Sequence, residues 1–179
     1  MSRGYFGIGV EGISKPMNVG SLFRSAHAFG ADFVFAIAPA VNIRAIQKSD
    51  TSDTAKHVPL YEFASVDEMK LPRGCRLVGV ELLDEAVDLP SFAHPERAAY
   101  VLGPERGSLS RDLQARCDFM VRIPTSFCVN VGIAGAILMY DRMVSHGRFA
   151  ARAPRPGAPV EALPPHAHGG PVPRRGRSG

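Results

Sequence analysis

Three short stretches of this 179-residue chain contain small or polar side chains that can bind or orient a ligand, and the first two also contain glycine. They run from Asn18 to Arg24, from Gly103 to Gly107, and from Ile123 to Asn130. Glycine lets bare main chain approach a ligand, arginine can bind a phosphate through two parallel donors, and asparagine can begin a helix. The three stretches therefore predict a site that binds and positions its ligands.

Taken singly, each stretch has an ordinary explanation. Asn18 can cap an amphipathic helix that carries a solvated Arg24, and the 103–107 segment can be a plain turn. Neither a Walker A phosphate loop nor a Gly-x-Gly-x-x-Gly fingerprint is present. The second and third stretches each follow a predicted strand, however, and ligands of α/β sheets bind beyond the carboxyl ends of strands.

Strands alternate with helices along the first 150 residues, which predicts an α/β fold with a mostly parallel sheet flanked by helices. Short apolar runs predict strands at 4–10, 32–38, 58–63, 76–81, 98–102 and 119–123. Helical spacing predicts helices at 18–29, 65–70, 110–116 and 129–145. Asn18 is the predicted N-cap of the first helix, Ser65 and Glu68 form a capping box for the second, and the polar segment 42–57 is predicted to be a loop.

Charge and composition divide the chain into a body and a tail. Residues 1–150 form one predicted domain with equal numbers of acidic and basic residues, so the net charge of +4 resides in residues 151–179. This tail is rich in Pro, Gly and Arg and is predicted to be disordered. Either it is an inert extension or it attracts phosphate through its arginines.

The totals exclude several classes of protein. A hydrophobic content of 45% and a charged content of 21% are typical of a globular protein, and no apolar run approaches the length of a membrane span. The N-terminus has no signal-peptide pattern, and the cysteines fit neither a disulfide framework nor a zinc motif. These features predict a protein of the reducing cytoplasm.

In combination, the three stretches resemble the SpoU or TrmH-type branch of the SPOUT superfamily of RNA methyltransferases. The matching pattern is Asn-x-Gly-x3-Arg, then Gly-x-Glu-x-x-Gly after a strand, then Ile-Pro and Asn before a helix of small residues, and it covers residues 3–147. The resemblance implies a parallel sheet with a C-terminal deep trefoil knot, and a homodimer through the C-terminal knot helix. It also implies S-adenosylmethionine as the methyl donor, no metal, and methylation of a ribose 2′-hydroxyl in tRNA or rRNA.

The resemblance further implies roles for individual residues. Those expected to bind the donor, chiefly through main-chain groups, are Glu81, Leu102, Gly103, Ile123, Cys128 and Val129. The expected catalytic residues are Arg24, Asn18, Asn130 and Glu105. Because a guanidinium is very hard to deprotonate, Arg24 is expected to grip the substrate phosphate and orient the ribose. Asn18 and Asn130 are expected to hold Arg24 and the ribose, and Glu105 to fix a loop or pair with an arginine.

The third stretch departs from the family pattern in two ways. Cys128 stands where a serine is usual, and the 124–130 loop is shorter than in many members. A thiol is a poorer hydrogen-bond partner than a hydroxyl, so the role of that serine is not assigned to Cys128. Two alternatives stay open: methylation of a base by the same fold, and an RNA-binding or assembly protein without turnover. Asn18 and Arg24 argue against the first, and the intact catalytic set argues against the second.

Overall fold

The computed structural model describes residues 4–49, 57–147, 149, 152–153 and 156–157. The chain divides into two compact units, Met1–His146 and Gly147–Gly179, and the strands and helices given below belong to the first. Most of the predicted tail and residues 50–56 of the predicted loop lie outside the described residues. None of the described helices is both long and apolar enough to cross a bilayer.

In the described residues, seven parallel strands form one sheet. The order across the sheet is β3-β2-β1-β6-β4-β7-β5, and every adjacent pair is parallel. The predicted parallel α/β fold is therefore confirmed, and all six predicted strands are present. The two-residue β5 was not predicted because so short a segment has no periodicity. The strands are β1 (Tyr5–Glu11), β2 (Phe33–Ile37), β3 (Leu60–Phe63), β4 (Arg76–Val80), β5 (Val87–Asp88), β6 (Arg97–Leu102) and β7 (Phe119–Arg122).

Helices cover both faces of the sheet, and two hydrophobic clusters lie beneath them. The described helices are α1 (Pro16–Ala28), α2 (Ile43–Ser49), α3 (Arg111–Arg116) and α4 (Val131–His146), with a 3-10 turn at Leu89–Ser91. The apolar positions of α1 are buried at the predicted helical spacing. Gly30 follows the end of α1 with a φ of +72°, which confirms it as the residue that stops this helix.

Two local predictions were wrong. Residues 43–49 form α2 instead of a loop, because Asn42 Oδ1 accepts the main-chain N–H of Ala45 and Ile43 is fully buried. Residues 65–70 form turns instead of a helix. Ser65 Oγ does accept the N–H of Glu68 as in a capping box, but this cap is followed only by turns.

Gly135 on α4 lies directly against Leu22 on α1. A Cβ at Gly135 would be 2.3 Å from Leu22 Cδ1, and Leu22 is fully buried. We expect Gly135→Ala to lower the free energy of unfolding by about 1–3 kcal/mol, because overpacking forces the two helices apart. Urea denaturation would measure this loss. Gly20→Ala is the matched control, since nothing lies within 4 Å of a Cβ there; an equal loss in both variants would contradict the prediction.

A buried polar network fastens the end of α4 to the start of β6. Arg142, which is 2% exposed, donates to the carbonyl oxygens of residues 95–96 and, over 2.9 Å, to the hydroxyl of Tyr100. The Tyr100 hydroxyl lies 2.6 Å from His94 Nδ1, and His94 Nε2 lies 2.9 Å from Asp141 Oδ2. Tyr100 accepts from Arg142, which leaves its own proton for Nδ1, and we therefore assign His94 as a neutral ring with its proton on Nε2.

The stability of the domain should fall as the pH drops below about 6.5. Burial lowers the pKa of His94 from 6.5, although its hydrogen bond to Asp141 opposes the change, and burial lowers the pKa of His146 as well. The unfolded state therefore binds more protons below this value, and stability is lost as the pH decreases through it. Urea denaturation at about pH 7.5 and about pH 5.5, on either side of that value, would measure the effect.

Tyr100→Phe tests the same network at neutral pH. The change removes the hydroxyl that binds His94 Nδ1 and an N–H of Arg142, so these two buried groups lose a hydrogen-bond partner. The free energy of unfolding should therefore fall by about 1–3 kcal/mol. Tyr61→Phe is the control, because Tyr61 is half exposed on β3. The network would contribute nothing to stability if the wild type and Tyr100→Phe had the same free energy of unfolding and if this free energy did not change with pH.

Candidate functional site

A cleft of ≈ 390 Å³ opens at the carboxyl ends of β4, β6 and β7. Its walls are the loops that follow these strands and the first turns of α1 and α4. Ligands of parallel α/β sheets bind at this edge, and small-molecule sites typically measure about 300–1,000 Å³. The lining residues are Lys15, Asn18, Val80, Glu81, Leu82, Leu102, Gly103, Pro104, Glu105, Gly107, Ile123, Thr125, Cys128, Val129, Asn130, Val131 and Ala134.

The six residues predicted to bind a donor all line this cleft. They are Glu81, Leu102, Gly103, Ile123, Cys128 and Val129. At Gly103 a Cβ would lie 3.1 Å from the main-chain nitrogen of Leu109, so the loop leaves little room for any side chain. The structure thus brings together residues from three loops that are far apart in sequence, while their role stays a prediction.

A polar clamp formed by Asn18, Glu105 and Asn130 joins the three sequence stretches. Asn18 Nδ2 donates to Glu105 Oε1 over 2.9 Å, and Asn18 Oδ1 accepts from Asn130 Nδ2 over 2.9 Å. Asn130 Oδ1 in turn accepts the main-chain N–H of Gly132 over 2.9 Å at the start of α4. The clamp therefore connects α1, the loop after β6 and the N-terminus of α4 through side chains alone.

Glu105 accepts more hydrogen bonds than a simple loop contact requires. Its carboxylate also receives the main-chain N–H groups of Ser14 and Lys15 and the Ser14 hydroxyl, each at 3.0 Å. Burial alone would raise the pKa of Glu105, but the hydrogen bonds from Asn18, its own main chain and Ser14 lower the pKa from 4.5 to about 2. Glu105 is thus a carboxylate at neutral pH, and it fixes the loop before α1, which is one of the two roles predicted for it.

Two further carboxylates hold the loop after β6 from its other end. Glu81 accepts the main-chain N–H groups of Leu109 at 2.9 Å and Leu82 at 3.0 Å. Glu11 accepts the N–H of Ser110 at 2.7 Å and its hydroxyl at 2.6 Å. The sequence suggested that Glu81 needs only its main chain, whereas its side chain also anchors the 103–109 loop that borders the cleft.

The loop between β7 and α4 is a tight turn. The Thr125 N–H donates to the carbonyl oxygen of Ile123 at 2.7 Å, and Thr125 Oγ1 donates to that of Phe127 at 2.8 Å. Cys128 is exposed and lines the cleft, and Phe127 beside it is 76% exposed. In the described residues, no cluster of three or more His, Cys, Asp or Glu side chains is arranged to hold a metal ion.

Arg24 lies apart from the other predicted catalytic residues. It is not among the described residues that line the cleft, and it is exposed on α1, whereas Asn18 is buried. Six residues of helix separate the two by about 9 Å along the axis and turn them to different faces. The sequence analysis correctly placed Asn18 and Arg24 on one helix. Within a single copy of the chain, however, Arg24 does not line the cleft.

The sequence reasoning missed Lys15 and misplaced the start of α1. The helix begins at Pro16 with Lys15 as N-cap, so Asn18 does not cap it and its amide serves the clamp instead. Pro16 was the available signal, because proline is favoured in the first turn of a helix. Lys15 lines the cleft. Its position three residues before Asn18 was the signal that could have identified Lys15 as a site residue.

Comparison with known proteins identifies the family. Residues 6–140 match the sequence model of the SpoU rRNA Methylase family, and the chain belongs to this family. The resemblance predicted from three sequence stretches is thereby confirmed. A TrmH-family tRNA/rRNA methyltransferase of Staphylococcus haemolyticus (strain JCSC1435) is 30% identical over 142 residues, which is 74% of this chain and 55% of the relative. This chain therefore spans about half the length of such bacterial relatives.

Two other similar proteins extend the comparison. The mouse tRNA (guanosine(18)-2′-O)-methyltransferase TARBP1 is 30% identical over 138 residues, which is 72% of this chain and 9% of that protein. The crystal structure of the SpoU methyltransferase AviRb from Streptomyces viridochromogenes, in complex with the cofactor AdoMet, superposes with a TM-score of 0.69 and 21% identity. It matches 80% of this chain and 61% of AviRb, and at this identity it establishes a shared fold.

Proposed function

We propose that this protein transfers the methyl group of S-adenosylmethionine (AdoMet) to a ribose 2′-hydroxyl of tRNA or rRNA. The observation that carries the proposal is the cleft, where loops after β4, β6 and β7 meet the clamp of Asn18, Glu105 and Asn130. Family membership supports RNA methyl transfer, the AviRb complex supports AdoMet, and the name of the mouse relative supports the 2′-oxygen.

The walls of the cleft fit AdoMet. Leu102, Ile123 and Val129 supply apolar surface, and the main chain at Gly103 borders the cleft without a side chain. AdoMet carries a methyl group already activated by its sulfonium charge. The residues of this chain then need to orient the ribose and assist loss of the hydroxyl proton, and no cysteine nucleophile is required at Cys128.

We infer that Arg24 acts in the cleft of a second copy of the chain. Lys15 and Asn18 at the start of α1 reach the cleft of their own chain, whereas Arg24 faces away from it. A guanidinium at the partner's cleft would bind the substrate phosphate bidentately and so orient the ribose, since it cannot serve as a base at neutral pH.

The exposed face of α4 supports such a homodimer. Ile133, Ile137 and Tyr140 are 56%, 37% and 51% exposed, at a spacing that aligns them along one stripe of the helix. Met17 at the start of α1 is 81% exposed. Contiguous apolar surface of this kind marks interaction sites, and a second α4 would cover it with matching chemistry.

A trefoil knot around the cleft is part of the same proposal. The last strand, β7, lies between β4 and β5, both of which precede it in the chain. α4 then returns to pack on α1, and Val131 and Ala134 near its start line the cleft. This order places β7 and the start of α4 beside the loops after β4 and β6, through which a knotted chain would pass.

Methyl transfer to cellular RNA tests the proposal directly. The full chain is incubated with methyl-labelled AdoMet and total RNA, and the RNA is digested to nucleosides for chromatography. Label in 2′-O-methylnucleosides is expected. Label confined to methylated bases would move the reaction to the nucleobase, and RNA binding without any transfer would identify an RNA-binding or assembly protein instead.

A further inference from the structure

Lys15 contributes a cationic side chain to the lining of the cleft, which also contains the carboxylates of Glu81 and Glu105. Among the described residues that line the cleft it is the one cationic side chain, and it is exposed. Its main-chain N–H is held by Glu105 at 3.0 Å, so the base of this long side chain is fixed in place. The carboxylates of Glu81 and Glu105 line the same cleft but are occupied by main-chain donors. Lys15 is therefore well placed to contact an anionic group that enters from solvent.

Phe127 carries an exposed aromatic ring in the turn that borders the same cleft, although Phe127 is not itself one of the lining residues. It lies between Thr125 and Cys128, both of which line the cleft, and it is 76% exposed. The Thr125 hydroxyl holds the Phe127 carbonyl oxygen at 2.8 Å, so the turn that carries the ring is fixed. A ring this exposed adds little to the core, and bases of single-stranded RNA stack on such rings.

We propose that the mouth of the cleft holds an unpaired RNA nucleotide, whose base stacks on Phe127 and whose phosphate is bound by Lys15. The inference rests on the proposed methyl transfer to RNA and names the substrate as a nucleotide that is not stacked in a duplex. Both faces of a base are covered inside a double helix, so a ring at the rim can stack only on a base that is turned out or lies in a single strand.

Binding measurements without turnover test this inference. Fluorescence anisotropy would follow the full chain binding a fluorescein-labelled single-stranded oligouridine and an RNA duplex of the same length. The single strand should bind more tightly. Phe127→Ala should weaken single-strand binding about tenfold, whereas Phe127→Trp should preserve it.

The charge of Lys15 has its own signature in the same assay. Lys15→Gln should weaken binding and reduce the slope of log affinity against log salt concentration by about 1, and Lys15→Arg should preserve both. In methyl-transfer assays both weakening variants should raise KM for RNA more than they lower kcat. Lys70→Gln and Phe149→Ala are the controls, since both residues are exposed and neither lines the cleft.

Four results would overturn the inference. Equal affinity for the single strand and the duplex would contradict an unpaired nucleotide at the cleft. Unchanged RNA binding by both Phe127→Ala and Lys15→Gln would contradict it as well. Weaker AdoMet binding by Phe127→Ala in calorimetry would assign the ring to the donor. Dissociation of a Phe127→Ala dimer in sedimentation would assign it to the interface between copies. Because RNA binding is measured without turnover, failure of methyl transfer and failure of this inference are distinguishable.

Discussion

An Arg24→Ala variant should bind AdoMet with wild-type affinity and lose methyl transfer by at least about a hundredfold. Donor binding should survive because the described residues lining the cleft do not include Arg24. Turnover should fall because the ribose would no longer be oriented through its phosphate, and misplacement of a reactant is costly. Calorimetry with AdoMet and single-turnover transfer to RNA would measure the two effects separately.

Arg111→Ala is the matched control, because Arg111 is also exposed on a helix but does not line the cleft. It should leave both AdoMet binding and transfer at wild-type levels. Turnover by Arg24→Ala at the wild-type rate would remove Arg24 from the mechanism. A large loss of AdoMet affinity in the same variant would instead make it a donor-binding residue.

Mixing two inactive variants tests whether Arg24 acts across a dimer. One variant is Arg24→Ala, and the other is Gly103→Val, which should block the cleft because a Cβ at Gly103 is already 3.1 Å from Leu109 N. A mixed dimer contains one intact cleft opposite one intact Arg24, so random mixing should restore about a quarter of wild-type activity. No recovery, with exchange of subunits verified, would place Arg24 and its cleft in the same chain.

A Glu105→Ala variant should lose about 2 kcal/mol of stability together with donor affinity. The carboxylate receives hydrogen bonds from Ser14, Lys15 and Asn18, so its removal releases the loop before α1 and breaks the clamp. The loss is modest because Glu105 is partly exposed to solvent. Urea denaturation and AdoMet calorimetry would measure the two losses.

The acid sensitivity of Glu105 provides a second readout. Its pKa falls from 4.5 to about 2 on folding, so its contribution is present above 4.5 and is lost as the pH falls toward 2. Glu105→Gln should flatten the stability profile within this window, whereas Glu85→Gln, a change at an exposed residue, should not. Identical profiles for wild type and Glu105→Gln would show that the clamp does not stabilise the fold.

The sequence predicted elements well wherever apolar residues follow a clear period. The buried strands and the helices 111–116 and 131–146 appear close to their expected bounds. α2 escaped detection because its apolar residues are separated by polar ones, and its N-cap Asn42 lies in a segment that looks like a loop. Local pattern thus identifies the buried strands and the helices that begin at a clear cap, as 111–116 does at Ser110, and fails where the cap lies in a segment that looks like a loop.

Side-chain partnerships were far less predictable. The three stretches identified Asn18, Glu105 and Asn130, but not that they bind one another, because this depends on the strand order. The same limit applies to Arg24, since spacing along a helix gives its face but not what lies opposite that face. The network of Arg142 and His94 had no sequence signal at all, because its members come from separate elements.

The strand order also has a consequence for how the domain is made. β1 leaves the ribosome before the other strands of this sheet, yet one of its two neighbours is β6, with Tyr5 opposite Arg97 and Val10 opposite Leu102. Until β6 has been synthesised, one long edge of an apolar strand lacks its partner, and nascent chains in this condition are prone to aggregate. Contacts this distant in sequence also slow folding. Refolding from urea should accordingly be slow, and production in cells should benefit from chaperones that shield the open edge of β1.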